Sequence, residues 1–315
     1  VLIYVAKRVA AGVVLLLVVV TLIFIAVHLV PGDPARTILT GTGSTPTEDA
    51  VAQLRTELGL NLPIWEQYSR YLSELAHGSL GHSLQDGRPV TEYVAERMPR
   101  TLQLVGATTL VSIVLGVTLG ALAARRGGFL DRVVLFLGSV GVAVPAYVAA
   151  ILLIFVVGVQ LQWLPSGGYV DLGEGFGPYL RALALPVVAL SIGFTSIVMR
   201  MTRSSVLETA RQDWVRTAEA VGLRRRAVFL RHVVRNALTP VLTVTGLQVG
   251  ALLGGTVIVE RVFSWPGLSG LLIDGVSSRD YPVVQGVVIV IAAMFIALNI
   301  LVDISYGLFD PRGRR

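Results

Sequence analysis

Five runs of this chain carry no Asp, Glu, Lys or Arg: Val9–Val30, Thr101–Ala124, Ala182–Met199, Asn236–Val259 and Tyr281–Val302. A sixth begins at Val133 and stays uncharged until Asp171, with Gly158, Gln160 and Pro165 ending its helix near residue 159. A helix needs roughly 20 apolar residues to cross a bilayer core. Six transmembrane helices are therefore expected. The alternative, buried helices of a large soluble core, fails on supply. Of 315 residues 54% are hydrophobic and 15% charged, too little polar sequence to coat such a core. The first run is too long for a signal peptide, and Val30-Pro31-Gly32-Asp33-Pro34 offers no small-x-small cleavage site, so it reads as a retained helix.

The placement of basic residues orients the spans. With the N-terminus in the cytoplasm, the inner segments hold Lys7, Arg8, Arg125, Arg126, Arg132, nine Arg between 200 and 235, and Arg312, Arg314 and Arg315. The short outer loops hold only Arg181, Arg261 and Arg279. Both termini then lie inside. The +6 net charge is thus a topology signal: the basic residues flank apolar spans, where they face phospholipid head groups, and nucleic-acid binding is not expected. Cysteine is absent, which excludes disulfides and thiolate metal sites.

The expected organisation is a first span at 1–30, an extracytoplasmic subdomain at 31–100, a helical core at 101–310 with a cytoplasmic loop at 203–236, and a tail at 311–315. Pro31, Gly32 and Pro34 stop the first helix, and Gly41–Pro46 reads as loop. Thr47 suits the cap of a helix reaching about Leu58, with Glu48 and Asp49 in its first turn and Gly59 after it. A second helix is predicted from Pro63 to Ala76, with Ile64, Tyr68, Tyr71, Leu72 and Leu75 on one face. Gly78-Ser-Leu-Gly81 breaks it, and a third runs from Pro89 to just before Pro99. Residues 160–181 and 261–280 read as outer loops, the latter with short helical potential at 268–276.

An ATP-driven pump needs a phosphate-binding lysine in a Gly-rich loop. The one lysine here is Lys7, outside any such loop. If ATP drives the process, another chain must hydrolyse it. The four histidines form no metal-ligand spacing, and His28, near a helix end, suits an interfacial role better than a proton relay.

The segment 209–222 is polar yet amphipathic. Val206, Ala210, Trp214, Ala218 and Val221 recur at helical spacing as one apolar stripe, with Arg203, Arg211 and Arg216 off it. Gly222 fits a C-terminal cap; Arg224-Arg225-Arg226 then open the helix of the fifth span. Such a helix can serve as a lever seated in a partner's cleft, or can rest on the membrane with its arginines on lipid phosphates. Physics alone leaves the two open.

Val215-Arg-Thr-Ala-Glu-Ala-Val-Gly222, followed by His232-Val-Val-Arg-Asn-Ala-Leu-Thr-Pro240, resembles the EAA loop of ABC-importer permeases, and within them the B subunits of dipeptide and oligopeptide importers. The resemblance extends along the chain through Pro31-Gly32-Asp33-Pro34, Gly78-Ser-Leu-Gly81, Pro99-Arg-Thr-Leu102, Glu260-Arg-Val-Phe-Ser-Trp-Pro-Gly267 and Asp303…Asp310-Pro311-Arg312. Arg216 stands where the general pattern has Glu, and the proline comes later, at Pro240; both fit the peptide branch. The implied fold is an all-α polytopic membrane protein, a type I ABC importer permease with six transmembrane helices and a small helical extracytoplasmic subdomain after the first.

The implied assembly adds a second permease chain of the C type, ATP-binding cassette subunits and an extracytoplasmic binding protein, in the cytoplasmic membrane of a bacterium. The resemblance makes 209–222 a coupling helix, with Trp214, Arg216, Thr217, Ala218 and Gly222 docking in the ATPase groove. No cofactor is expected in this chain, ATP and Mg belonging to the partner ATPases, and the permease itself makes and breaks no covalent bond. Gln248, Thr245 and Pro145 are placed near the pathway because polar groups and breaks at mid-span face protein or a cavity. Gly116/Gly120 and Gly250/Gly254 are small-xxx-small pairs read as packing; Asn299 and Asp303 fall near the inner end of the last span. The substrate expected is a di- or oligopeptide, with nickel, glutathione or haem as alternatives. An ion-coupled secondary transporter is a different class, but it would need central ionisable residues that the spans scarcely offer.

Overall fold

The uncharged runs are dominated by Leu, Val, Ala and Ile, and in a bilayer every backbone N–H and C=O must be satisfied within its own segment, which leaves the helix as the local solution. A computed structural model of the chain describes residues 2–29, 35–36, 39, 47–57 and 59–309. Pro31–Pro34, the Gly41–Pro46 loop, Leu58 and the Asp310–Arg315 end lie outside the described residues, as does the side chain of Asp303. Among the described residues the only β-pairing is a single antiparallel bridge between His82 and Pro89.

The helices are α1 (Leu2–Leu29), α2 (Glu48–Glu57), α3 (Ile64–Ala76), α4 (Val90–Arg126), α5 (Gly128–Ala143), α6 (Ala146–Leu153, continued by a π-turn over Ile154–Gln160), α7 (Phe176–Ala210), α8 (Asp213–Ala220), α9 (Arg225–Val262), α10 (Leu268–Ser277) and α11 (Tyr281–Phe309). Among the described residues five helices are long and apolar enough to span a membrane, and α5 with α6 makes a sixth span if that pair is counted as one.

Three expectations need correction. The third span is not straight: α5 and α6 meet at 100°. Pro145 lacks an N–H and disfavours the helical region for the residue before it; Val144 accordingly sits at ψ 116 and Pro145 at ψ 140, and the helix restarts at Ala146. The helix that begins after Pro89 does not stop at Pro99 but runs on to Arg126 with the proline inside it. The lost hydrogen bond costs about 3 kcal/mol, and burial of Val90, Val94, Thr101 and Leu104 along the same helix offsets it. Residues 176–181, expected as loop, are already the first turns of α7.

The chain forms two compact units. The first comprises Val1–Val9, Thr101–Pro266 and Ala297–Arg315. Its axis is α7, whose most apolar stretch is 67% buried against 44% for α9. Neighbouring helices approach α7 through glycines. A Cβ on Gly116 would lie 2.7 Å from Val198, and one on Gly120 would lie 2.4 Å from the Met199 carbonyl oxygen. Gly138 and Gly141 of α5 do the same against Met199 and Ser196. The Gly116/Gly120 pair therefore packs as expected, whereas Gly254 of the second pair is exposed with open space around its Cα. The turn after α9 is buried: Phe263 and Trp265 are almost fully enclosed, Tyr169 meets Trp265 edge-on at 4.9 Å, and Thr101 donates to buried Glu260 at 2.9 Å. The 165–168 loop lies directly on this turn, with the Gly168 amide donating to the Phe263 carbonyl at 2.7 Å.

The second unit comprises Ala10–Arg100 and Gly267–Ile296. Here α3 lies on α1: Phe24 contacts Tyr68 and Tyr71, the Thr21 and Tyr68 hydroxyls bond at 2.7 Å, and His28 meets Gln67 at 3.1 Å. Tyr68, Tyr71, Leu72 and Leu75 are partly covered, but Ile64, expected on the same face, is exposed. Burial, reinforced by Tyr68, pushes the Tyr71 phenol well above the usual tyrosine range. Val90, Val94, Leu268, Leu271, Val283 and Val287 form the unit's apolar core. The 79–89 loop is fastened beside it: Ser83 donates to Asp280 at 2.5 Å, the Leu84 amide to the same carboxylate at 3.2 Å, and Gln85 to the Ser278 carbonyl at 3.0 Å. In that loop the Tyr93 hydroxyl, backed by the Arg88 amide, holds the Asp86 carboxyl below its ordinary value.

Candidate functional site

The polar segment after α7 is not one helix continuing from it. Helix α7 ends at Ala210, Arg211 and Gln212 form a turn, and α8 begins at Asp213. The Gln212 N–H donates to the Thr209 carbonyl and the Val215 N–H to that of Gln212, both in short i to i−3 bonds. This turn resets the helical phase, so the stripe predicted across it does not exist as one face. Val206 is buried, but Ala210, Trp214 and Val221 are exposed. The residue that holds α8 down is Val215, 7% exposed, with Ala218 half-buried beside it. They join Val206, Val228, Val233 and Ala237 in one apolar cluster.

With Val215 inward, the other sequence-predicted residues of α8 face away. Arg216 and Thr217 are exposed, the Thr217 hydroxyl donating to the Asp213 carbonyl at 3.1 Å. The Trp214 ring is 36% exposed, its indole N–H turned to Gln212. Gly222 is at φ +90. Its amide bonds to the Glu219 carbonyl and the Leu223 amide to that of Ala218, the two bonds of a Schellman cap with glycine in the left-handed position.

The chain therefore leaves α8 in a fixed direction and re-enters α9 at Arg225. Two further contacts brace the region and were not anticipated. Arg203 of α7 makes a two-pronged ion pair with Asp131 of α5, both side chains largely covered. Asp131 is the sole acid between Glu96 and Asp171, and that isolation was the available signal. The Arg125 guanidinium sits 5.3 Å over the Phe229 ring.

The three residues placed near the pathway are scattered in character. Thr245 is buried and its hydroxyl donates back to the Val241 carbonyl at 2.8 Å. Gln248 is partly exposed one turn on, and Pro145 is exposed at the α5–α6 bend. Among the described residues no hydrogen bond joins them.

Helices long and apolar enough to span a membrane, packed around a buried axis, with a short polar helix held outward on an apolar cushion, define a multi-pass membrane protein. The family described as binding-protein-dependent transport system inner membrane component matches residues 116–315, and the family of its N-terminal region matches residues 1–105. The chain belongs to this family of binding-protein-dependent permease subunits. It is 38% identical to a probable peptide ABC transporter permease protein of Sinorhizobium fredii over 313 residues, 99% of each chain. It is 42% identical to a putative peptide permease protein of Brucella suis, over 98% of each. A glutathione transport system permease protein of Salmonella paratyphi A is 38% identical over 98% of this chain and 97% of its own.

Proposed function

We propose that this chain forms part of the translocation pathway of an ATP-driven importer for di- and oligopeptides in a bacterial cytoplasmic membrane, with both termini inside. The carrying observation is α8: a short helix seated on Val215 and Ala218, with Arg216, Thr217 and the Trp214 ring turned outward and a rigid glycine cap at its end. Such a helix suits a groove on an ATPase subunit that binds ATP and Mg, since this chain has no phosphate-binding loop. A second permease chain completes the pathway, and an extracytoplasmic binding protein delivers substrate to the 31–100 side. Closure of the ATPases pulls α8, and α7 and α9 carry that motion to the membrane, switching access from one side to the other. Gln248, Thr245 and Pro145 remain the proposed pathway residues.

The peptide reading rests on the names of the relatives in Sinorhizobium and Brucella. Glutathione, itself a short peptide, is the second reading, because a relative of equal coverage carries that name. The test is uptake of labelled tripeptide and labelled glutathione by cells expressing the complete system, with R216E as the coupling variant. Tripeptide uptake that falls at least tenfold in R216E supports the reading. Normal uptake and normal ATPase co-purification in R216E would sink the coupling role, and uptake of neither ligand by wild type would sink the substrate class.

A further inference from the structure

Beyond the coupling helix, a shallow, wide-mouthed cavity of about 430 Å³ opens at the start of α9, lined by Arg224, Arg226, Ala227, Leu230 and Arg231. Its three guanidinium-bearing residues are exposed, and none of them forms an ion pair among the described residues. Between Arg224 and Arg235 the sequence holds five arginines and no Asp or Glu. Glu219 stands 3.8 Å from Arg225, which does not line the cavity. Cations gathered without a counter-ion repel one another, and an anion among them removes that cost.

The backbone builds this convergence. Residues five apart lie about 140° apart on an α-helix, at the two edges of one face. Val228–Val233 is a π-turn, whose i to i+5 bonding brings such residues into line. Arg226 and Arg231 are five apart, flank or lie in that turn, and line the cavity together. Ala227 and Leu230 add apolar surface to the lining, Leu230 being 53% exposed, and Val221 and Leu223 are also exposed on the turn before α9.

We infer that this cavity holds the phosphate of an anionic phospholipid head group. Guanidinium groups form charge-assisted, often paired hydrogen bonds with phosphate oxygens. A soluble phosphate would use the arginines but not the exposed Leu230, whereas a phospholipid supplies both an anion and an acyl chain. The same helix enters the charge-free run Asn236–Val259, which places the cavity near a membrane surface. The lipid would anchor the α8–α9 junction to the inner leaflet. This rests on the proposed cytoplasmic placement of the 203–236 loop.

The experiment uses the full chain with its partner subunits in phosphatidylcholine vesicles containing spin-labelled phosphatidylglycerol, and reads the immobilised lipid. Each arginine near a membrane surface contributes on the order of 1 kcal/mol, so R226Q/R231Q should lower lipid retention by about tenfold or more. R132Q/R211Q, which removes the same charge from exposed positions outside the cavity, should leave it near wild type. Equal loss in the two variants, or no loss in R226Q/R231Q, overturns the site. Inorganic phosphate at excess should not displace the lipid; full displacement overturns the lipid as its source. Labelling of R225C from the outer face alone would overturn the topology, independently of the lipid measurement.

Discussion

Gly222 has φ +90 and nothing within 4 Å of where a Cβ would stand. Any cost of replacing it is therefore backbone strain and not collision. Asn, which tolerates the left-handed region, should be the mildest substitution, Ala intermediate at roughly 1–2 kcal/mol, and Val the worst because its branched carbon resists that conformation. Coupled ATPase activity of the assembled complex should fall in the order Gly222→Asn, Gly222→Ala, Gly222→Val. A flat series would mean that the cap does not direct the chain. This position was legible in the sequence, since glycine after an amphipathic run has one common use. Val215 was not: it falls off the stripe drawn from Val206, and only the turn at Arg211–Gln212, which carries neither Gly nor Pro, rotates it inward.

Among elements, the same contrast separates what periodicity reveals from what it hides. Charge-free length marked all six hydrophobic segments because it reports the bilayer directly. It could not show that Pro145 bends the third by 100° while Pro99 leaves α4 unbroken. Both prolines have the same chemistry, and the difference lies in packing that a single sequence does not display. The Gly116/Gly120 spacing did announce a close contact. Its strength is testable: Gly120→Leu would put a Cβ 2.4 Å from the Met199 carbonyl oxygen and against the Thr202 side chain, and should destabilise the detergent-solubilised chain by about 3 kcal/mol. Gly254→Leu, with open space around it, should change the melting temperature of the isolated chain little. Equal effects at both glycines would contradict the packing described for α4 and α7.

At the scale of the whole molecule, the question is whether α8 is carried by the chain or merely attached to it. The cluster of Val206, Val215, Val228, Val233 and Ala237 joins α8 to the last turns of α7 and the first of α9. Burying a valine contributes about 1.5 kcal/mol or more. Val215→Asp would reverse that contribution and place a charge among apolar groups, freeing α8 from both spanning helices. The expected outcome is a chain that still reaches the membrane but supports at least tenfold less uptake per ATP hydrolysed. Undiminished coupling would show that α8 transmits force without its cushion. The Asp131–Arg203 pair gives an independent handle. Asp131→Asn leaves a largely covered guanidinium unpaired, for a loss of about 2 kcal/mol, readable as a lower melting temperature that Arg203→Met should partly restore.

Helix α7 meets α4 and α5 at glycines, positions 116, 120, 138 and 141 of those two helices. Gly116 and Gly120 stand against the Thr195 and Met199 carbonyl oxygens themselves, and where backbones meet this closely no rotamer change can take up a displacement. Over its 35 residues, a rise of about 1.5 Å each makes α7 a rod of roughly 50 Å. Such a rod has little slack. Under the proposed coupling, a pull at Arg211 would pass along this rod toward Tyr179, and the close contacts with α4 and α5 would leave it little room to be absorbed on the way.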